Sequence, residues 1–115
     1  MGSAVDGDTR FSPVELLLAA IAGCTAMDVA AITTKRAEPT HFEVVIDGNK
    51  IRDDFGGNRL VDLAVTFKIA FPEGSKGDAA RQVLPKAVSQ SHDRLCTVSR
   101  TVQLGGPIAT TVENP

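Results

Sequence analysis

The sequence contains no tryptophan or tyrosine, only five phenylalanines and only two cysteines among its 115 residues. Lysine and arginine are scattered rather than clustered, with Lys35 and Arg36 as one adjacent pair, and the formal net charge is −2. Because a nucleic-acid-binding domain carries a basic patch or stripe, this pattern argues against a nucleic-acid partner. There is no internal repeat or low-complexity segment, and a chain of this length predicts a single domain over residues 1–115.

The amino-terminal residues also lack the features of an exported protein. There is no charged-then-apolar leader and no small-residue cleavage site. Two cysteines far apart in such a chain are typical of free or reactive thiols in a reducing cytosol rather than of a structural disulfide. The sequence therefore predicts a cytoplasmic protein. Residues 1–8 are polar and glycine-rich, and we interpret them as a flexible arm.

A long helix is predicted over residues 12–35, and the other elements are interpreted as built around it. Ser12 is placed to accept a hydrogen bond from the backbone three residues later, and Glu15 is placed to reach back to the Ser12 N–H group. Pro13 suits the first helical position. These residues predict a capping box with proline at its first helical position, a start that is worth about 1 kcal/mol of stability.

The middle of this helix carries a cysteine, Cys24. Between residues 16 and 32 the only charged side chain is Asp28, and apolar or small residues occupy every face. That pattern predicts a helix buried on nearly all sides. A helix that crosses a bilayer needs about 20 apolar residues. Because Gly23, Thr25 and Asp28 interrupt the run, we expect no membrane-spanning segment.

Two alternating segments after this helix predict an antiparallel hairpin. Apolar and polar residues alternate over residues 41–52 and more strictly over residues 60–71, as they do in half-buried strands. Residues 53–59, DDFGGNR, are turn-forming. The hairpin then has one apolar face, and we expect that face to cover the long helix.

A second helix and a last strand are predicted in the remainder of the chain. We interpret Asp78 as the N-cap, residues 79–95 as the helix and Pro85 as the position of a kink or break. Cys96 follows, and the TVSR segment after it predicts a short helix whose amino terminus acts on the Cys96 thiol. Residues 108–112 predict a final strand.

These elements leave apolar surface without a partner. The chain offers one helix that is apolar all round, one hairpin and one amphipathic helix, and a small domain buries proportionally less surface than a large one. The sequence therefore predicts an obligate homodimer.

Two cysteine-centred motifs resemble a known family. SPVELLLAAIAGCTAMDV, residues 12–29, and AVSQSHDRLCTVSRTV, residues 87–102, resemble the OsmC/Ohr family, and more closely its OsmC-like branch of uncharacterised small proteins. The resemblance covers roughly residues 8 to 113. It implies an α+β fold with an intertwined homodimer, in which a long central cysteine helix packs on an antiparallel sheet. The amino-terminal strands are abbreviated relative to the family.

The resemblance also implies a chemistry for the two cysteines. Characterised members are thiol peroxidases that reduce organic hydroperoxides. In that pattern Cys24 attacks the peroxide and becomes a sulfenic acid, and Cys96 resolves it as a disulfide. A dithiol of the lipoyl or thioredoxin type then reduces the disulfide, and neither a cofactor nor a metal is expected.

The residues at the start of the helix differ from the pattern that activates the attacking cysteine in similar enzymes. Similar enzymes use an arginine from an amino-terminal strand, held by a glutamate directly after the helix-start proline. Here that position is Val14, and Glu15 follows it. Glu15 lies about half a turn out of phase with Cys24 and about 13 Å from it along a regular helix, so the two side chains do not meet. Glu15 is therefore interpreted as a capping residue, and Arg94 and Arg100 as the nearest cations in sequence to Cys96.

Several alternatives are open at this point. Asp28 lies one turn after Cys24 and would raise its pKa if it were close and ionised; we favour the view that Asp28 pairs across the dimer with Arg94 or His92, because buried charges are usually paired. A zinc site formed by His92 with Cys24 or His41 is disfavoured, since no CxxC or HxxxH pair is present. For the protein as a whole, the alternative function is that of a non-catalytic binder of a hydrophobic small molecule, or of a redox-sensitive interaction protein.

Overall fold

The protein is described by a computed structural model in which residues 11–114 are defined. The arm predicted over residues 1–8 lies outside these residues. The elements follow the order helix, strand, strand, helix, π-helix, helix: α1 Pro13–Thr33, β1 His41–Arg52, β2 Asn58–Ala70, α2 Ser75–Gln90, the π-helix Ser91–Leu95, and α3 Thr97–Leu104. This is an α+β arrangement with a two-stranded antiparallel sheet.

The predicted capping box starts α1. The Glu15 N–H donates to the Ser12 hydroxyl at 3.1 Å, and the Ser12 N–H donates to Glu15 Oε1 at the same distance of 3.1 Å. Pro13 occupies the first helical position. The start of the helix is therefore confirmed, and its end falls at Thr33, close to the predicted boundary.

Burial along α1 differs from the sequence-based expectation. The residues of α1 that the chain buries lie three or four apart and form one stripe: Glu15, Leu18, Ile21, Thr25, Val29 and Thr33. On the other faces Leu16 is 54% exposed and Met27 is 75% exposed. The prediction of burial on nearly all sides is therefore wrong within one chain, because the hairpin and the other helices cover only one side of α1.

The hairpin forms in the predicted place. The strands pair from His41 with Ala70 at one end to Arg52 with Asn58 at the other. The turn is held by the Asp53 carboxylate, which accepts hydrogen bonds of 3.0 Å from the N–H groups of Phe55 and Gly57. Because these bonds close the turn locally, the hairpin register follows from the DDFGGNR segment.

A bulge interrupts the hairpin ladder between Asp47 and Asn49. Gly48 faces Leu63 there, and a Cβ atom at Gly48 would lie 2.7 Å from the Leu63 Cδ2 atom. On the opposite strand Asp62 has a positive φ of 55°. Glycine therefore fits the bulge, where the backbone of β1 approaches a side chain of β2 closely.

Helix α2 begins earlier than predicted. Its N-cap is Gly74, with φ of 110°, so the assignment of Asp78 as the cap is wrong. Asp78 lies in the first turn and pairs with Arg81 at 2.6 Å. The negative charge of Asp78 interacts favourably with the amino-terminal end of the helix dipole, but its side chain does not cap the helix. Pro85 lies inside the helix as predicted.

In the carboxyl-terminal part of the chain, the predicted short helix is confirmed and the predicted last strand is wrong. The short helix predicted at TVSR is present as α3. The strand predicted over residues 108–112 is absent, since residues 105–114 form no regular secondary structure. Ile108 and Val112 are 90% and 91% exposed. A strand needs a neighbour for its backbone hydrogen bonds, and the sheet of the described residues contains β1 and β2 alone.

The chain is extended for its length. Its radius of gyration is 17.6 Å, whereas a compact domain of this size has a value of about 13 Å. Helix α1 is long and apolar enough to cross a membrane by length and composition, with 28% of its most apolar window buried. A core helix of a soluble protein passes the same test.

Candidate functional site at the cysteine pair

The two cysteines come together although they lie far apart in sequence. Cys24 lies in α1 and Cys96 lies between the π-helix and α3. Their Sγ atoms and a carboxylate oxygen of Asp28 all lie within 4.8 Å of one another. Both thiols are free. An S–S bond needs a separation of about 2.05 Å, so the two sulfur atoms must approach each other before a disulfide forms.

Cys96 is fully buried, with 0% exposure. It is the N-cap of α3, and its Sγ atom accepts a hydrogen bond of 3.4 Å from the Ser99 N–H group. Burial raises the pKa of the Cys96 thiol, and the adjacent Cys24 thiol raises it further; the hydrogen bond from Ser99 lowers it by less. At neutral pH Cys96 is therefore a protonated thiol. Cys24 is half-buried and is the more accessible of the two.

Asp28 is held by a hydroxyl group. The Ser91 hydroxyl donates to Asp28 Oδ2 at 2.9 Å, and the hydroxyl groups of Ser91 and Thr25 are hydrogen-bonded at 2.7 Å. Asp28 forms no ion pair with a basic side chain of residues 11–114. Within the chain its partner is therefore neither Arg94 nor His92, and a pairing across a dimer stays a prediction.

The π-helix places both Ser91 and Cys96. The Cys96 N–H group donates at 2.9 Å to the carbonyl of Ser91, which lies five residues earlier; the corresponding separation in an α-helix is four residues. This wider turn brings Ser91, fully buried, against α1 and starts α3 at Cys96. π-Helical turns are rare and occur frequently at functional sites.

Sequence reasoning missed Ser91 and Thr25. A signal was present for both, because Ser91 lies four residues after the buried Ala87 and Thr25 lies four residues after the buried Ile21. Each is a small polar residue on the apolar stripe of its helix. Such a residue needs a hydrogen-bond partner once it is buried, and here each is a partner of the other.

The other candidate residues do not belong to the thiol cluster and form hydrogen bonds or ion pairs elsewhere in the structure. Glu15 is the capping residue that was predicted, and its Oε2 atom is buried without a hydrogen-bond partner. His41 pairs with Glu43 at 3.2 Å, and no histidine of residues 11–114 belongs to the cluster around the thiols. Arg100 donates to the Asp93 carbonyl at 2.6 Å. The alternative zinc site, in which His92 joins Cys24 or His41, is therefore not formed.

An apolar cavity is lined by residues next to the cysteines, since Thr25 follows Cys24 in sequence and the Ser99 N–H donates to Cys96. It has a volume of about 260 Å³ and opens between α1, β2, α2 and α3. Its lining is mainly apolar with four polar residues, and it includes neither cysteine: Ile21, Thr25, Leu63, Val65, Phe67, Val88, His92, Ser99, Val102 and Gln103. An apolar cavity with few polar groups is the usual form of a small-molecule site.

The fold and the site together agree with one family. The family model for OsmC-like proteins matches residues 6–111. The chain belongs to the OsmC-like protein family. The resemblance predicted from the two cysteine motifs is thus confirmed.

Solved structures resemble this OsmC-like protein in fold. A hypothetical protein from Aquifex aeolicus matches with a TM-score of 0.66 and 22% identity over 85% of this chain and 69% of that chain. An OsmC-like protein of unknown function from Vibrio cholerae matches with a TM-score of 0.67 and 19% identity over 89% of this chain and 70% of that chain. At these identities the likeness concerns the fold. No curated protein matches the chain.

Proposed function

We propose that this OsmC-like protein is a thiol-dependent peroxidase that reduces organic hydroperoxides, with Cys24 as the attacking thiol and Cys96 as the resolving thiol. The observation that carries the proposal is the approach of two free thiols, from distant parts of the chain, to within 4.8 Å. A peroxidase of this type needs such a pair, because the second thiol must reach the oxidised first one.

The unequal environments of the thiols support the assignment of roles. Cys24 is half-buried and is the thiol more accessible to a hydroperoxide, whereas Cys96 is fully buried. The raised pKa of Cys96 keeps it protonated at neutral pH. A thiolate is the nucleophile in such reactions, so Cys96 is the poorer attacking group and is better suited to the second step.

The reaction balances without a further oxidant. The Cys24 thiolate attacks the outer peroxide oxygen, an S–O bond forms, the O–O bond breaks, and the departing alkoxide takes a proton and leaves as an alcohol. Cys96 then loses its proton and attacks the sulfenic acid sulfur, which forms the disulfide and releases water. A dithiol reductant returns the disulfide to two thiols by exchange.

The same proposal includes a homodimer. Leu16, Leu17 and Met27 are exposed on α1, and the radius of gyration of 17.6 Å exceeds the value of about 13 Å for a compact domain. Contiguous exposed apolar surface on a core helix marks an interaction site. A second copy of the chain that packs against this face of α1 would bury it.

A second candidate is a non-catalytic binder of a hydrophobic small molecule. The observation in its favour is the carboxylate of Asp28 in the thiol cluster, because a nearby negative charge disfavours a thiolate. In this case the cavity of about 260 Å³ would hold a ligand and the thiols would be unreactive.

One assay separates the two functions. Lipoamide-coupled reduction of cumene hydroperoxide or tert-butyl hydroperoxide is measured for the wild type and for Cys24→Ser, with Ser89→Ala as a control because Ser89 is exposed on α2. Turnover in the wild type and the control, lost in Cys24→Ser, supports the peroxidase. No turnover, with slow alkylation of Cys24 at neutral pH, supports the binder.

A further inference from the structure

The thiol cluster combines three metal-ligating groups with hydrogen bonds that orient two of them. The Sγ atoms of Cys24 and Cys96 and a carboxylate oxygen of Asp28 lie within 4.8 Å of one another. The Ser91 hydroxyl donates to the carboxylate at 2.9 Å, and the Ser99 N–H donates to Cys96 Sγ at 3.4 Å. Groups that orient ligands in this way are a regular part of metal sites.

We infer that the reduced protein binds one Zn²⁺ ion per chain through Cys24, Cys96 and Asp28. The inference goes beyond the proposed peroxidase and does not require it, since metal binding needs the two thiols and the carboxylate but no turnover. If both hold, the bound ion and the hydroperoxide compete for the Cys24 thiolate.

The dimensions of the cluster suit zinc. With Zn–S bonds of about 2.3 Å and a Zn–O bond of about 2.1 Å, ligand atoms of a tetrahedral site lie about 3.6–3.8 Å apart. The three atoms lie within 4.8 Å of one another, so they need to approach by about 1 Å at most. Side-chain rotation of Cys24 and Asp28, which are both half-buried, supplies a movement of this size.

The donor set selects the metal. Two thiolates favour Zn²⁺ or Cu⁺ over Mg²⁺ and Ca²⁺, which take oxygen ligands. The carboxylate of Asp28 is a hard ligand that suits a divalent ion better than Cu⁺. Three protein ligands leave one of the four tetrahedral positions for water, which is the open arrangement of zinc sites that exchange a ligand.

The charges in the cluster also favour a cation. Two thiolates and a carboxylate would repel one another in a partly buried site, and Asp28 has no ion pair with a basic side chain in the described part of the chain. Buried charges are usually paired or coordinate a metal. A divalent ion compensates two of the three negative charges.

The test is a metal titration of the full chain in a thiol-free reductant. Co²⁺ is used as the first probe, because Zn²⁺ has a filled d shell and gives no d–d spectrum, and Zn²⁺ is then titrated by competition. We expect one ion per chain, with thiolate-to-cobalt charge-transfer absorption that is lost in Cys24→Ser and in Cys96→Ser. Asp28→Asn and Ser91→Ala are expected to weaken binding by about 10–100-fold.

Matched controls separate the cluster from the rest of the surface. Asp54→Asn removes an exposed turn carboxylate, and Ser89→Ala removes an exposed hydroxyl group of α2; both are expected to bind Zn²⁺ like the wild type. Unchanged affinity in Asp28→Asn, or binding that survives loss of either cysteine, would overturn the inference.

A measurement on the wild type covers the case in which a variant fails to fold. Zn²⁺ at saturation is expected to slow the alkylation of both Cys24 and Cys96, as mapped by mass spectrometry of the native protein. Alkylation rates that are the same with and without Zn²⁺ would contradict the site, whatever the behaviour of the variants.

Discussion

The hydroxyl group of Ser91 donates a hydrogen bond of 2.9 Å to the carboxylate of Asp28, and it is also hydrogen-bonded to the Thr25 hydroxyl at 2.7 Å. Ser91 thus ties the start of the π-helix to two successive turns of α1. Asp28 belongs to the thiol cluster, so this contact determines where the carboxylate lies relative to Cys24. The stability of the fold and the chemistry of the site both depend on it.

Ser91→Ala is expected to destabilise the protein. The change leaves the Asp28 carboxylate and the buried Thr25 hydroxyl without their partner, and an unsatisfied buried polar group costs about 1–3 kcal/mol. Urea denaturation followed by circular dichroism measures the free energy of unfolding. Ser89→Ala, two residues earlier on the exposed face of α2, serves as the control and should change it little. Equal stabilities of the two variants would show that the hydrogen bond is not needed.

Cys24 is expected to be alkylated faster than Cys96 in the native protein at neutral pH. Cys96 is fully buried, and its raised pKa lowers its thiolate fraction at every pH below that pKa. The alkylation rate of Cys96 should therefore begin to increase at a higher pH than the alkylation rate of an ordinary thiol does. Peptide mapping after timed exposure to iodoacetamide gives both rates, and in urea the two should react alike. Faster native alkylation of Cys96 would contradict the assigned environments.

The raised pKa of Cys96 also predicts a pH dependence of stability. The folded state holds the Cys96 proton more tightly than the unfolded chain, so this contribution is present below the unfolded pKa and is lost as the pH rises through the folded pKa. We expect the free energy of unfolding to fall in the alkaline range above the ordinary thiol pKa. Cys96→Ala should show a smaller decline over the same range, since alanine does not titrate; an unchanged slope would argue against this origin.

Cys96→Ser is expected to stop the proposed peroxidase after a single oxidation. Without the resolving thiol, the Cys24 sulfenic acid has no partner in the chain and persists. Dimedone labelling with mass spectrometry should detect it after one equivalent of cumene hydroperoxide, whereas the wild type should form a disulfide. Sustained lipoamide-coupled turnover by Cys96→Ser would remove Cys96 from the mechanism.

Gly77→Ala is expected to destabilise the start of α2. A Cβ atom at residue 77 would overlap the Pro72 carbonyl oxygen, so the loop before α2 must move. Changes that overpack a site cost about 1–3 kcal/mol, which thermal unfolding detects. Gly57→Ala is the matched control, because its Cβ atom meets the Asp53 carboxylate at an ordinary distance of 3.5 Å.

Met27→Lys is expected to weaken the proposed homodimer. Met27 is 75% exposed on α1 in the single chain, and a charge buried between two copies would be unfavourable. Sedimentation equilibrium should show a dissociation constant at least about tenfold higher, which corresponds to about 1.4 kcal/mol. Phe55→Lys, in the exposed hairpin turn, is the control. A wild type that is a folded monomer at micromolar concentration would refute the dimer itself.

The sequence by itself determined the elements whose signals are local. The capping box of Ser12 and Glu15, the alternation of β1 and β2 and the turn at Asp53 all depend on residues no more than a few positions apart, and all form as predicted. The two cysteine motifs also indicated the family that the comparison confirmed. Spacing along the chain was sufficient in these cases because the physical interactions act within one turn of a helix or one hairpin.

Only the tertiary structure decided how these elements meet. The contact of Ser91 with Asp28 joins residues 63 positions apart, and the π-helix, the glycine at residue 77 and the irregular segment 105–114 depend on neighbours that no local pattern specifies. The one-sided burial of α1 has the same origin. Side chains pack by shape and by the pairing of buried polar groups across the fold, and a periodicity in sequence says which face is apolar but not what lies against it.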